Sequence, residues 1–130
     1  MSKFEVEKLV RDEVAAHISS NKLAKTDYVI LNNQELIPRL IDKLVEEATE
    51  LQKTNIKDRN DILNEIADVE TVLDCLKEKL NITEEEIKKV KDKKIEKLGS
   101  FKKRIFLKTV ELEESDSWLP YYQEKYKEIK

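Results

Sequence analysis

Two pairs of acids carry the chemistry this chain could perform: Glu47-x-x-Glu50 and Glu65-x-x-Asp68. On a helix, a spacing of three puts both carboxylates of a pair on one side, one turn apart. Only a short polar stretch separates the pairs, so two helices joined there would run antiparallel and the four acids could meet. Converging carboxylates repel one another, and a carboxylate turned toward a core is costly to desolvate without a partner. A cation among them removes both difficulties. A ligand set made only of oxygens, with no His or Cys, suits a hard ion, Mg²⁺ or Mn²⁺.

The elements that must position these acids follow from a helical wheel of about 100° per residue. In the first helix Leu36, Ile37, Leu40, Ile41, Leu44, Val45, Ala48 and Leu51 share one arc, with Glu47 inside it and Glu50 just beyond its edge. In the second, Ile62, Ile66, Val69, Val72, Leu73, Leu76 and Leu80 form the arc, with Glu65 inside and Asp61 and Asp68 flanking it. The competing reading is an ordinary solvated, salt-bridged face. Charged residues make up 41% of the chain, so a Glu-x-x-Glu somewhere is expected by chance. Glu70 also falls near the apolar arc and belongs to no motif.

Around that hairpin the chain reads as mostly helical. Residues 5–19 predict a short helix or an ordered arm, and the segment DYVIL (27–31) a short strand or a covering arm. Asn32 and Asn33 suit the N-cap of a helix over about 34–53, with Pro38 tolerated in its first turn or avoided by a slightly later start. Thr54 to Asp58 form a turn, and Asp58 or Asn60 caps a third helix over about 60–80 that Asn81 ends. Thr83-x-x-Glu86 is a capping box for a fourth helix running to Leu98 and stopped by Gly99, the chain's single glycine. SFKKRIFLKTVEL then alternates apolar and basic residues and predicts an extended arm or short strand. The tail holds the only Trp and three of the four Tyr, with Ser117 a cap candidate for a closing helix limited by Pro120. A domain over 1–110 and a helical aromatic tail over 111–130 is the expected division, the tail docking on the domain or a neighbouring subunit.

Totals narrow the function classes. A chain of 130 residues builds one domain, and a net charge of −3 gives no basic field for nucleic acid. The lone Cys75 excludes an internal disulfide and fits a reducing compartment, as a reactive thiol or a partly buried side chain. His17, the only histidine, reads as polar surface or as a base. The opening MSKFEVEKLVRDEV predicts neither a signal nor a transit peptide, and no apolar run is long enough to span a membrane. The expected location is the cytoplasm. A single glycine rules out a P-loop, so nucleotide binding would have to work through metal and side chains.

Three blocks together resemble one family. KLVRDEV at Lys8–Val14 is similar to the KLVRDKI opening of the MazG-like, all-α nucleoside triphosphate pyrophosphatases, in the phosphoribosyl-ATP pyrophosphohydrolase-like or house-cleaning branch. LIDKLVEEATEL and EIADVETVLDCL resemble that superfamily's Glu-x-x-Glu, spacer, Glu-x-x-Asp signature. KDKKIEKLGSFKKRIFL resembles the branch's Lys-x-x-x-Arg-Gly-x-Phe-x-x-Arg-Ile pattern, except that Leu98 stands where the branch usually carries Arg. The resemblance spans residues 6–108.

It implies a Mg²⁺-dependent enzyme that cleaves a nucleoside triphosphate between the α- and β-phosphates, giving a monophosphate and pyrophosphate. On that basis Glu47, Glu50, Glu65 and Asp68 are the metal ligands, and Glu47 or Glu50 orients or deprotonates the attacking water. Lys8, Arg11, Lys94 and Arg104 are the candidates for the remaining phosphate charge, with Lys97 a substitute for the missing Arg. The implied fold is an all-α, MazG-like helical bundle with short extended arms, its core completed by oligomerisation. A homodimer or dimer of dimers would pair two helix hairpins into a bundle of at least four core helices. The rival class is a non-catalytic helical interaction module, which has no reason to bury four acids together. A di-iron carboxylate bundle wants Glu-x-x-His, and Glu13 and His17 are one residue too far apart.

Overall fold

Capping side chains set most of the helix boundaries. The Glu35 N–H donates to Asn32 Oδ1 at 2.9 Å and the Asn32 N–H to Glu35 Oε1 at 3.3 Å, a reciprocal capping box. The Asp61 N–H donates to Asp58 Oδ1 at 3.2 Å, and a second box closes between Thr83 and Glu86 at 3.0 and 3.1 Å. The computed structural model describes residues 1–130 and contains five helices and no strand. They are α1 (Val14–Ser19), α2 (Asn33–Lys53), α3 (Arg59–Lys79), α4 (Glu84–Leu98) and α5 (Leu119–Lys125). The chain divides into two compact units, residues 1–90 and 91–130, with α4 running across the division.

Chain reversals obey the same local logic. Between α2 and α3 the Thr54 hydroxyl donates to the Glu50 carbonyl at 2.8 Å, and the Lys57 N–H to Asn55 Oδ1 at 3.0 Å. After α3, Asn81 takes φ +56° while the Ile82 N–H reaches the Lys77 carbonyl and the Asn81 N–H the Glu78 carbonyl. This is the left-handed helix stop that Asn tolerates better than most residues. Gly99, at φ +79°, plays that part after α4.

Two expectations, for Pro38 and Ser117, change, and two open alternatives between regular element and arm are decided. The first helix covers only Val14–Ser19 rather than 5–19. Residues 1–11 form an irregular arm in which Glu7 sits at φ +48°. No side chain caps α1, and a short stretch holding Val6 and Val10 lacks the length to nucleate a helix unaided. Pro38 falls in the second turn of α2, where it removes the donor that would face the Gln34 carbonyl. The segments 27–31 and 105–110 pair with no strand and remain arms. Trp118 rather than Ser117 is the N-cap of α5, its N–H bonded to Asp116 Oδ1 at 2.8 Å.

In the first unit α2 and α3 are the only helices packed on one another. Their shared core contains a single buried residue, Leu40 at 3% exposure. Ile41 and Val45 on α2, and Leu63, Ile66 and Leu73 on α3, stay exposed at helical spacing. No helix is long and apolar enough to cross a membrane. In the second unit Trp118, Tyr121, Tyr122 and Tyr126 form a cluster with ring centroids 5.4–6.4 Å apart. Lys125 Nζ donates to Tyr121 Oη at 2.9 Å, a bond that pulls the phenol below its ordinary pKa and raises that of the lysine.

Candidate metal centre

The antiparallel packing of α2 and α3 brings together three of the four predicted ligands. One carboxylate oxygen each from Glu47, Glu65 and Asp68 lies within 4.8 Å of the other two. Glu47 belongs to the half-buried arc of α2, its side chain 12% exposed. Glu65 and Asp68, one turn apart on α3, are both half-buried. Glu50, on the next turn of α2, is exposed, yet its charge bears on Glu65. The wheel therefore places Glu47 and Glu65 correctly inside their arcs and Glu50 outside.

Glu65 is the member with no partner. Its Oε2 is shut off from solvent and receives no hydrogen bond. Its pKa is raised, first by loss of solvation and then by the charges of Glu50, Asp68, Glu47 and Asp61. The other two acids do have cations. Lys43 Nζ approaches Glu47 Oε1 at 3.4 Å, and Arg11 Nη2 donates to Asp68 Oδ1 at 2.7 Å. Glu46, just outside the cluster, is held by Lys8 at 3.1 Å and Lys43 at 3.3 Å. Burial raises the pKa of Glu46, but these two lysines outweigh it and the net shift is downward.

The donor set fits a hard divalent ion. Three carboxylate oxygens that already lie within 4.8 Å of one another would draw together around the ion. Such an ion would supply the partner Glu65 Oε2 lacks and offset the mutual repulsion of the acids. Beside Glu50 a recess of about 460 Å³ is lined by Glu46, Thr49, Glu50, Lys53 and Thr54. Every lining residue is polar and two are carboxylates, so this wall suits water and cations better than an aromatic base.

Of the four predicted phosphate-binding residues, Lys8 and Arg11 lie at this cluster, each paired with an acid. Lys94 and Arg104 belong to the second unit. Lys94 is exposed on α4, and Arg104 closes a turn with its N–H on the Phe101 carbonyl at 3.2 Å and φ +57°. Leu98 is exposed at the last position of α4, His17 is exposed on α1, and Cys75 is half-buried on α3. Two contributors escaped the sequence reading, Lys43 and Glu46. Their signal was present as Lys43 three and four residues before Glu46 and Glu47, within reach on one helix face. Compared with protein-family models, with curated proteins and with solved structures, the chain matches none.

Proposed function

We propose that this chain is a Mg²⁺- or Mn²⁺-dependent nucleoside triphosphate pyrophosphohydrolase that hydrolyses the bond between the α- and β-phosphates. A house-cleaning role on non-canonical nucleotides, in the cytoplasm, goes with that reading. The observation that carries it is Glu65 Oε2, buried without a partner beside two further acids. A salt-bridged scaffold has no use for that atom, whereas a cation gives it one. The resemblance of KLVRDEV, of the paired acidic motifs and of the closing basic block to the MazG-like pyrophosphatases supports the same chemistry.

Glu47, Glu65 and Asp68 would hold the ion, with Glu50 completing the set from the next turn of α2. The bound ion supplies charge neutralisation along the phosphate chain and an acidified water. Glu47, 12% exposed and with a Lys43 counter-charge, accepts the proton of the attacking water. Lys8 and Arg11 share the remaining phosphate charge. A second copy of the chain, in a homodimer or dimer of dimers, supplies the apolar wall that the polar recess beside Glu50 lacks.

The test is pyrophosphate release from a panel of ordinary and modified nucleotides with Mg²⁺. Turnover that disappears in Glu47→Ala and Glu65→Ala is the expected result. No turnover across the panel, or unchanged turnover in both variants, ends the proposal. One observation favours a non-catalytic interaction module: Arg11 and Lys43 already neutralise two of the three acids. That module predicts no change in melting temperature with Mg²⁺, where a metal site predicts a rise.

A further inference from the structure

The arm 1–11 has no regular structure, yet it is fixed to the helix pair at two charged points. Lys8 is bound to Glu46 at 3.1 Å and Arg11 to Asp68 at 2.7 Å. Between them Leu9 is half-buried, and with Glu7, Lys8 and residues of α2 it lines a cleft of about 60 Å³. The arm thus ends with a guanidinium directly on a carboxylate of the acidic trio. Asp68 belongs to both the trio and this ion pair.

A divalent ion in the trio and a guanidinium on Asp68 would be like charges at close range, and the guanidinium is the weaker holder. Its pair is exposed on both sides, 59% at Arg11 and 36% at Asp68, and half-exposed pairs of this kind contribute little. It also rests on an arm with a single half-buried anchor. Once displaced, the side chain remains tethered beside the cluster and presents a planar set of donors suited to two phosphate oxygens.

We infer that Arg11 has two alternating partners: the Asp68 carboxylate, and the phosphate of an anionic ligand that arrives with the divalent ion. Ion loading thereby frees the group that clamps the ligand, which orders the two binding events. This rests on the metal reading above.

The test is Mg²⁺ titration by calorimetry of the full chain and of Arg11→Ala and Arg11→Lys, with a non-hydrolysable α,β-methylene triphosphate as a second titrant. Loss of a competing half-exposed pair predicts Mg²⁺ binding about two- to fivefold tighter in R11A. Loss of a bidentate phosphate contact predicts analogue binding weaker by about tenfold in R11A, with R11K in between. Trypsin supplies a second readout: Mg²⁺ accelerates cleavage after Lys8 and Arg11 in the wild type, and the analogue slows it again. Equal Mg²⁺ affinities with unchanged cleavage overturn the exchange while leaving the metal reading intact. Weaker Mg²⁺ binding in R11A overturns it too, because Arg11 would then orient Asp68 rather than compete for it. Absence of Mg²⁺ binding by the wild type removes both readings together.

Discussion

Val45→Asp decides whether the apolar stripes of α2 and α3 are a surface or an interface. Val45 is 61% exposed and follows Ile41, 47% exposed, by one turn. On a monomer's surface an aspartate there changes stability by no more than about 0.5 kcal/mol. In a dimer core it strands a carboxylate at a cost of several kcal/mol, and every 1.4 kcal/mol is about tenfold in the dissociation constant. Sedimentation velocity and thermal melting at two protein concentrations read the difference. The wild type should sediment as a dimer or larger and melt higher when concentrated, and V45D should dissociate by at least 100-fold more readily. A wild type that sediments at 15.3 kDa at micromolar concentration, with V45D melting beside it, refutes the reasoning.

Further predictions concern the site and its supports. Glu65→Gln should raise the melting temperature in a chelating buffer and remove the additional rise that Mg²⁺ gives the wild type. The advantage of E65Q should depend on pH. A raised carboxyl pKa means that the folded wild type binds a proton more readily than the unfolded chain, so its stability falls as pH rises from the ordinary carboxylate range through the folded value. The difference between variant and wild type should be small below that window, widen across it in urea unfolding with EDTA, and shrink when Mg²⁺ replaces EDTA. Thr83→Ala removes one half of the α4 capping box and should cost about 1 kcal/mol in the same unfolding assay. Leu98→Arg, at an exposed helix end, should leave the melting temperature unchanged.

What the sequence disclosed divides by the range of the interaction involved. Asn32 with Glu35, Asp58, Asn81, Thr83 with Glu86, and Gly99 act within a few residues, so the boundaries of α2, α3 and α4 were legible almost to the residue. The placement of Glu47 and Glu65 inside their apolar arcs was legible because the wheel depends only on helical period. The arm was not. Residues 5–19 carry a helical pattern, but Lys8 and Arg11 find acids 38 and 57 residues away, and no local rule contains those partners. At 27–31 and 100–112 the choice between strand and arm was open for a related reason. Alternation specifies a strand only when another strand is present to accept its backbone, and here none is.

The repulsion among the acids and the exposure of the stripes have a common origin in the hairpin. Packing α2 on α3 closely enough to bury Leu40 forces Glu47, Glu65 and Asp68 within 4.8 Å, and it leaves the adjacent apolar rows with nothing to cover them. A hairpin in this condition would be stabilised from two directions, by a cation on the acidic side and by a second hairpin on the apolar side. Both act on the folded state alone, so wherever the uncovered hairpin is partly unfolded each raises the folded fraction available to the other. Mg²⁺ should lower the protein concentration needed for association, and V45D should weaken Mg²⁺ binding although Val45 ligates nothing. Sedimentation equilibrium of the wild type with EDTA and with Mg²⁺ measures the first effect, and calorimetric titration of V45D the second. Independent constants in both experiments would mean that the acidic cluster and the apolar stripes serve unrelated ends.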